Sequence, residues 1–168
     1  MKQIYVLAAA LAMTAVTSNA QENLIINGGF ENWTAENPEN FTEVGATILY
    51  NDLLTKETTI VKSGANSCRQ ESKAQGNTQY LEYSTLIPVE AGASYTISYW
   101  YLDNADNART RLWSTWRDAS GANLTAESAN IQEQEYSTNS PEWVQKTVTV
   151  TAPEGAAEEE QRQSRPRN

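Results

Sequence analysis

The chain has 168 residues, 39% of them hydrophobic, with 21 acidic against 12 basic side chains and a net charge of −9. That length suits one domain with a modest core, and the acidic balance argues against nucleic acid, whose phosphates are met by clustered lysine and arginine. The absence of histidine excludes Ser-His-Asp and Cys-His catalysis, imidazole general bases and histidine-bound zinc, and a single cysteine, Cys68, excludes an intrachain disulfide.

The first element is a leader. Lys2, an apolar run from Ile4 to Val16 and the small residues Ser18-Asn19-Ala20 make residues 1–20 a signal peptide. No segment reaches the roughly 20 apolar residues of a transmembrane helix. The expectation is a soluble protein that is secreted or held at the cell surface, in the periplasm or outside the cell, with no membrane insertion. Residues 21–34, QENLIINGGFENWT, predict a strand, an Asn-Gly-Gly turn and an aromatic anchor at Trp33. After a loop around Pro38, Ala46 to Tyr50 is a weak strand and Thr58 to Val61 a β-branched, stronger one. Ser63-Gly64 turns the chain, Asn66 to Glu71 predicts a strand, 72–78 a loop, and Tyr80 to Ile87 alternates again before the turn from Pro88 to Gly92. Cys68 then reads as a small buried hydrophobe in a strand rather than a reactive thiol.

Tyr95 to Asp118, YTISYWYLDNADNARTRLWSTWRD, is the centre of the chain. Both of its aromatic runs alternate with period two, and a loop over 103–108 predicts a β-hairpin in which Trp100 opposes Arg111 and Ser98 opposes Trp113. One face then carries Tyr95, Ile97, Tyr99, Leu112 and Trp116, a core. The other carries Thr96, Ser98, Trp100, Arg109, Arg111, Trp113 and Arg117, a binding surface of large aromatics and guanidinium groups. Beyond the Ala119-Ser120-Gly121 turn, residues 122–140 are polar and irregular, with Glu127, Glu133 and Glu135 solvating the loop. Trp143 to Val150 is the last predicted strand. From 155 the chain runs into EEEQRQSRPRN, which has no apolar residue after Ala157 and predicts a disordered or truncated tail, leaving 21–154 as the folded domain. Short strands between turn signals, with no sustained helical period after the leader, indicate an all-β antiparallel sandwich.

Several fragments, in order, carry a family resemblance: Asn23-Leu24 with Asn27-Gly28-Gly29-Phe30-Glu31, Ser63-Gly64 followed by Ser67, the Val89 to Gly92 turn before Tyr95 to Tyr101, Asp118 before Gly121, and Trp143 before Thr147 to Pro153. Together they resemble a carbohydrate-binding module of the type found in families four, nine and twenty-two, and the chain also resembles N-terminal modules of secreted Bacteroidetes-type proteins. The resemblance implies a galactose-binding-like jelly roll, a polysaccharide or other glycan as partner, a structural calcium with Glu31 among its ligands, and an accessory role beside a downstream domain. On that footing Trp100, Trp113 and Arg111 are the expected ligand contacts, the rings stacking on sugar and the guanidinium bonding hydroxyls. Against this stand a packing role for the two tryptophans and an ion pair between Arg111 and Asp103 or Asp106. Trp33 and Trp143 read as packing anchors. No carboxylates sit in a pairing motif for glycoside hydrolysis, so catalysis is not expected. A structural or adhesion domain is the alternative.

Overall fold

The computed structural model describes residues 22–35, 37–45, 54–70, 79–105, 109–160 and 162–165. The leader, the Ala46 to Tyr50 strand and the 72–78 loop lie outside the described residues. The strands are β1 (Phe41–Gly45), β2 (Leu54–Glu57), β3 (Ser67–Gln70), β4 (Gln79–Tyr83), β5 (Ile87–Pro88), β6 (Ser94–Tyr101), β7 (Arg111–Leu112), β8 (Thr115–Arg117), β9 (Val144–Thr151), β10 (Glu158–Glu160) and β11 (Arg162–Arg165), with one 3-10 turn at Glu127–Ile131 among the described residues. Every pairing between them is antiparallel.

Two layers emerge from the strand orders. One runs β1-β4-β11-β7 and continues as β5-β10-β8, since β4 leads into β5, β7 into β8 and β10 into β11 across only a few residues. The other contains the long β6–β9 ribbon; β2 and β3 pair as a separate ribbon. The chain passes from β5 to β6, back to β7–β8, out to β9 and back to β10–β11, the alternation between layers of a jelly-roll sandwich. Ile97 of β6 and Val150 of β9 meet Leu112 of β7 and Trp116 of β8 in one buried cluster, closed by Ile131, Ala152 and Ala156. Because the ribbon and the β8–β10 layer exchange no strand pairing, that cluster is the interior between them. Trp116 is fully buried, its indole N–H donating to Asn130 and its backbone N–H to Ser128.

The predicted hairpin does not form. β6 pairs along its whole length with β9, so Trp100 opposes Gln145 and Ser98 opposes Thr147. Arg111 and Leu112 pair instead with β11, and Thr115 to Arg117 with β10. The face assignment survives this change of partner, because alternation along one strand fixes which side chains point inward whatever lies beside it.

Three other expectations change. The strand expected at Thr58 to Val61 lies earlier, at β2, because the Glu57 carboxylate accepts the Thr59 and Ile60 amides at 2.6 and 3.2 Å and bends the chain there. Leu24 to Ile26 join no strand, and the chain turns through Asn27 and Phe30, both at positive φ. The polar C-terminal stretch is not loose throughout: β10 sits between β5 and β8, and Glu159 is 2% exposed opposite Trp116 and Ile87. Pairing on both sides satisfies the backbone, and Arg117 neutralises Glu160 at 2.8 Å.

Candidate functional site

Two outward surfaces carry the chemistry. The first is the solvent face of the β6–β9 ribbon. Exposure alternates along both strands, leaving Ser94, Thr96, Ser98 and Trp100 outward beside Thr151, Thr149, Thr147 and Gln145. The hydroxyls pair across the ribbon, Thr96 with Thr149 at 3.0 Å and Ser98 with Thr147 at 3.1 Å, and the Gln145 amide donates to Ser98 at 2.9 Å. Trp100 is 44% exposed at the end of this row. The ammonium of Lys62, a residue no sequence pattern singled out, lies 4.2 Å from its ring centroid. The result is a flat polar strip ending in one large ring.

The second surface lies on the other layer. Arg109, Arg111 and Trp113 project away from the core that Leu112 enters. The guanidinium of Arg111 lies 4.1 Å from the Trp113 ring centroid and 4.2 Å from that of Tyr136, and Arg109 lies 4.4 Å from Tyr136, so four planar groups stack in contact: Trp113, Arg111, Tyr136, Arg109. Tyr136 comes from the 122–140 segment that polarity marked as an irregular loop. That segment runs back along β7: the Glu133 amide donates to Leu112, the Ser137 amide to Thr110, and Arg111 Nη1 donates to the Glu133 and Gln134 carbonyls at 3.2 and 3.4 Å. A lone tyrosine in a polar stretch was the available signal.

Of the expected ligand contacts, the structure brings Arg111 and Trp113 together and leaves Trp100 apart. Trp100 points away from the shared core on one layer and the Arg111–Trp113 pair points away from it on the other, so a single face holding all three does not exist. Arg117, expected on the same surface, is turned to internal work, donating to Gly121 and bridging β8 to Glu160 of β10. Of the two alternative partners for Arg111, Asp103 is buried and accepts from the Ser137 hydroxyl and, through its carbonyl, from the Ser140 amide, and Asp106 lies outside the described residues.

Glu133 departs from its expected role as a solvating charge. Its Oε2 accepts from the Tyr99 hydroxyl at 2.6 Å and the Leu112 amide at 2.8 Å, and Lys146 stands 4.0 Å from Oε1. Burial, and then the bond to this carboxylate, hold the Tyr99 phenol far above its ordinary range. Asp118 is shifted the other way. The Ser120 hydroxyl, and then the Ala122 and Ser120 amides, bond its charged form and lower its pKa while they build the turn.

Glu31, the residue that the resemblance assigns to calcium, is hydrogen-bonded to a neighbouring turn. Both carboxylate oxygens accept the Ala65 amide, at 3.1 and 3.2 Å, and Oε2 also accepts from Asn66 at 3.1 Å. The carboxylate ties the first turn to the 63–66 turn. Gly64 sits there at φ 72°, a conformation that side-chain-bearing residues rarely adopt, and a Cβ would displace the Glu31 carboxylate, whose Oε1 would lie 1.9 Å away. Cys68 is half-buried in β3. No helix among the described residues is long and apolar enough to cross a membrane.

Among solved structures, the enzymatically active domain of tailspike protein 4 from bacteriophage CBA120 superposes with a TM-score of 0.57 at 14% identity, covering 87% of this chain and 19% of the tailspike chain. The likeness is one of fold, and this chain spans about a fifth of the tailspike's length. The C-terminal family 22 carbohydrate-binding module of Clostridium thermocellum Xyn10B gives a TM-score of 0.48 at 13% identity, covering 83% of this chain and 82% of the module. A xylan-binding domain of family 22 gives 0.47 at 13% identity with the same coverage. No family model and no curated protein matches the sequence.

Proposed function

We propose that this domain is a noncatalytic glycan-binding module of a secreted or cell-surface protein, docking polysaccharide on its outward aromatic surfaces. The observation that carries this reading is Trp100, a 44% exposed indole on a strand face otherwise lined by hydroxyls and an amide. A ring left in water gains when the apolar C–H face of a pyranose covers it. Ser98, Thr147 and Gln145 beside it supply donors and acceptors for sugar hydroxyls without moving the backbone. Lys62, whose ammonium lies over the ring, adds a further donor beside it. Trp113 and Arg111 offer a second contact surface on the opposite layer, which lets one module grip a chain or two chains at separate points. As an accessory module, the domain would hold an attached domain on its polysaccharide.

Titrating the protein with soluble plant, algal and host polysaccharides while following tryptophan fluorescence tests the proposal. A saturable shift is expected, weakened at least about tenfold in Trp100→Ala, a loss of about 1.4 kcal/mol. The melting temperature should hardly move, as for other surface substitutions. A folded protein that responds to none of the panel, or a Trp100→Ala variant that binds as the parent does, would sink it.

A further inference from the structure

The Trp113–Arg111–Tyr136–Arg109 stack carries more positive charge than a neutral sugar requires. The chain has a net charge of −9, yet two guanidinium groups lie on one tyrosine ring. Glu133 directs its Oε2 to the Tyr99 hydroxyl and the Leu112 amide, and no ion pair holds Arg109 among the described residues. Arg117, the third arginine of this stretch, is held by Glu160.

Arg109 differs from both of its neighbours. Among the described residues its guanidinium meets the Tyr136 ring and no hydrogen-bond or ion-pair partner; its Nε is buried, like those of Arg111 and Arg117, so its two terminal nitrogens are the ones that can reach a ligand. Stacking uses the face of a guanidinium and leaves the in-plane N–H edge to bond outward, while the ring fixes the plane in which that edge lies. A preoriented fork of this kind suits a carboxylate or sulfate, which takes two parallel N–H bonds. A sugar hydroxyl uses only one.

On these grounds we infer that Arg109, backed by Arg111 on Tyr136, forms a subsite for an acidic substituent, a carboxylate or sulfate carried by the glycan. This rests on the glycan-binding reading above and names the class of glycan. The overall negative charge of the protein would repel a polyanion elsewhere on its surface and concentrate binding at the stack.

Isothermal titration with four polymers tests it: polygalacturonate and its methyl ester, dextran sulfate and dextran. The expected result is that at least one acidic polymer binds tenfold or more tightly than its neutral counterpart at low salt, with the gap closing as sodium chloride is added. Which acidic arm responds tells carboxylate from sulfate. Arg109→Gln should close most of the gap with little change in melting temperature, and Arg109→Lys, which keeps the charge without the planar fork, should restore only part of it. If Arg109→Gln fails to fold, the acidic-to-neutral ratio and its salt dependence in the parent, with Arg109→Lys, still decide. Equal binding of each acidic polymer and its neutral partner, or a full gap in folded Arg109→Gln, overturns this inference and leaves the glycan-binding reading standing. Silence in all four arms overturns this inference too, while the glycan-binding reading is decided by the wider polysaccharide panel.

Discussion

Tyr99 shows how one side chain ties the core to the candidate site. Its ring packs inside while its hydroxyl donates to Glu133, on the same segment that delivers Tyr136 to the arginine stack. Since the phenol is pushed up by burial and by the carboxylate, the folded state holds the neutral form more strongly than the unfolded chain, whose ordinary value is 10.0. The contribution to stability is therefore complete below that value and is lost as pH rises above it. Urea melts between neutral pH and pH 11 should show a fall in stability at the alkaline end that Tyr99→Phe largely removes. At neutral pH the same substitution should cost about 1–2 kcal/mol, because one donor to a half-buried carboxylate is gone. An unchanged alkaline limb in the variant would mean that the hydroxyl does not titrate with folding. At this scale much was legible from alternation alone: Ile97, Leu112 and Trp116 point inward, and Thr96, Ser98, Trp100, Arg111 and Trp113 outward. Glu133 was not legible, since its role depends on an amide and a hydroxyl brought from strands far away in sequence.

At the scale of elements, a period of two says which face a residue takes and nothing about which strand lies beside it. The two aromatic runs of 95–118 follow each other closely and invite a hairpin, but the sandwich sends them to different layers, and β6 finds its partner in β9, the TVTVT strand. The two strands suit each other: Thr faces Thr or Ser on the outside, and Ile97 faces Val148 on the inside. A disulfide tests the pairing. In a Cys68→Ser background, Thr96→Cys with Thr149→Cys should oxidise readily and stabilise the fold by about 2–4 kcal/mol, whereas Ser98→Cys with Trp113→Cys, the pair a hairpin would bring together, should stay reduced. The opposite pattern would restore the hairpin. β10 was hidden for another reason. Its three glutamates suggest solvent by composition, and only the sheet shows that strands on both sides and Arg117 make room for them.

Across the whole molecule, the consequence of the two-layer core is a division of the outward aromatics. Trp100 with its hydroxyl strip belongs to the ribbon, and the Trp113–Arg111–Tyr136–Arg109 stack belongs to the other layer. The sequence pattern joined these residues into one face, since the layer of each strand is a property of the complete topology. Lys62 and Tyr136 entered the surfaces from segments with no pattern to announce them. On the proposed reading, a module built this way would meet its ligand on either side of a closed core, with no need to open. The most direct measurement of that central claim is a map of backbone amide NMR shifts on adding a polysaccharide that changes the tryptophan fluorescence. Saturable changes should cluster on Thr96 to Trp100 and Gln145 to Thr149, with any second cluster on Arg109 to Trp113 and Gln134 to Tyr136. Changes centred elsewhere, or spread evenly through the buried cluster around Trp116, would contradict docking on these surfaces.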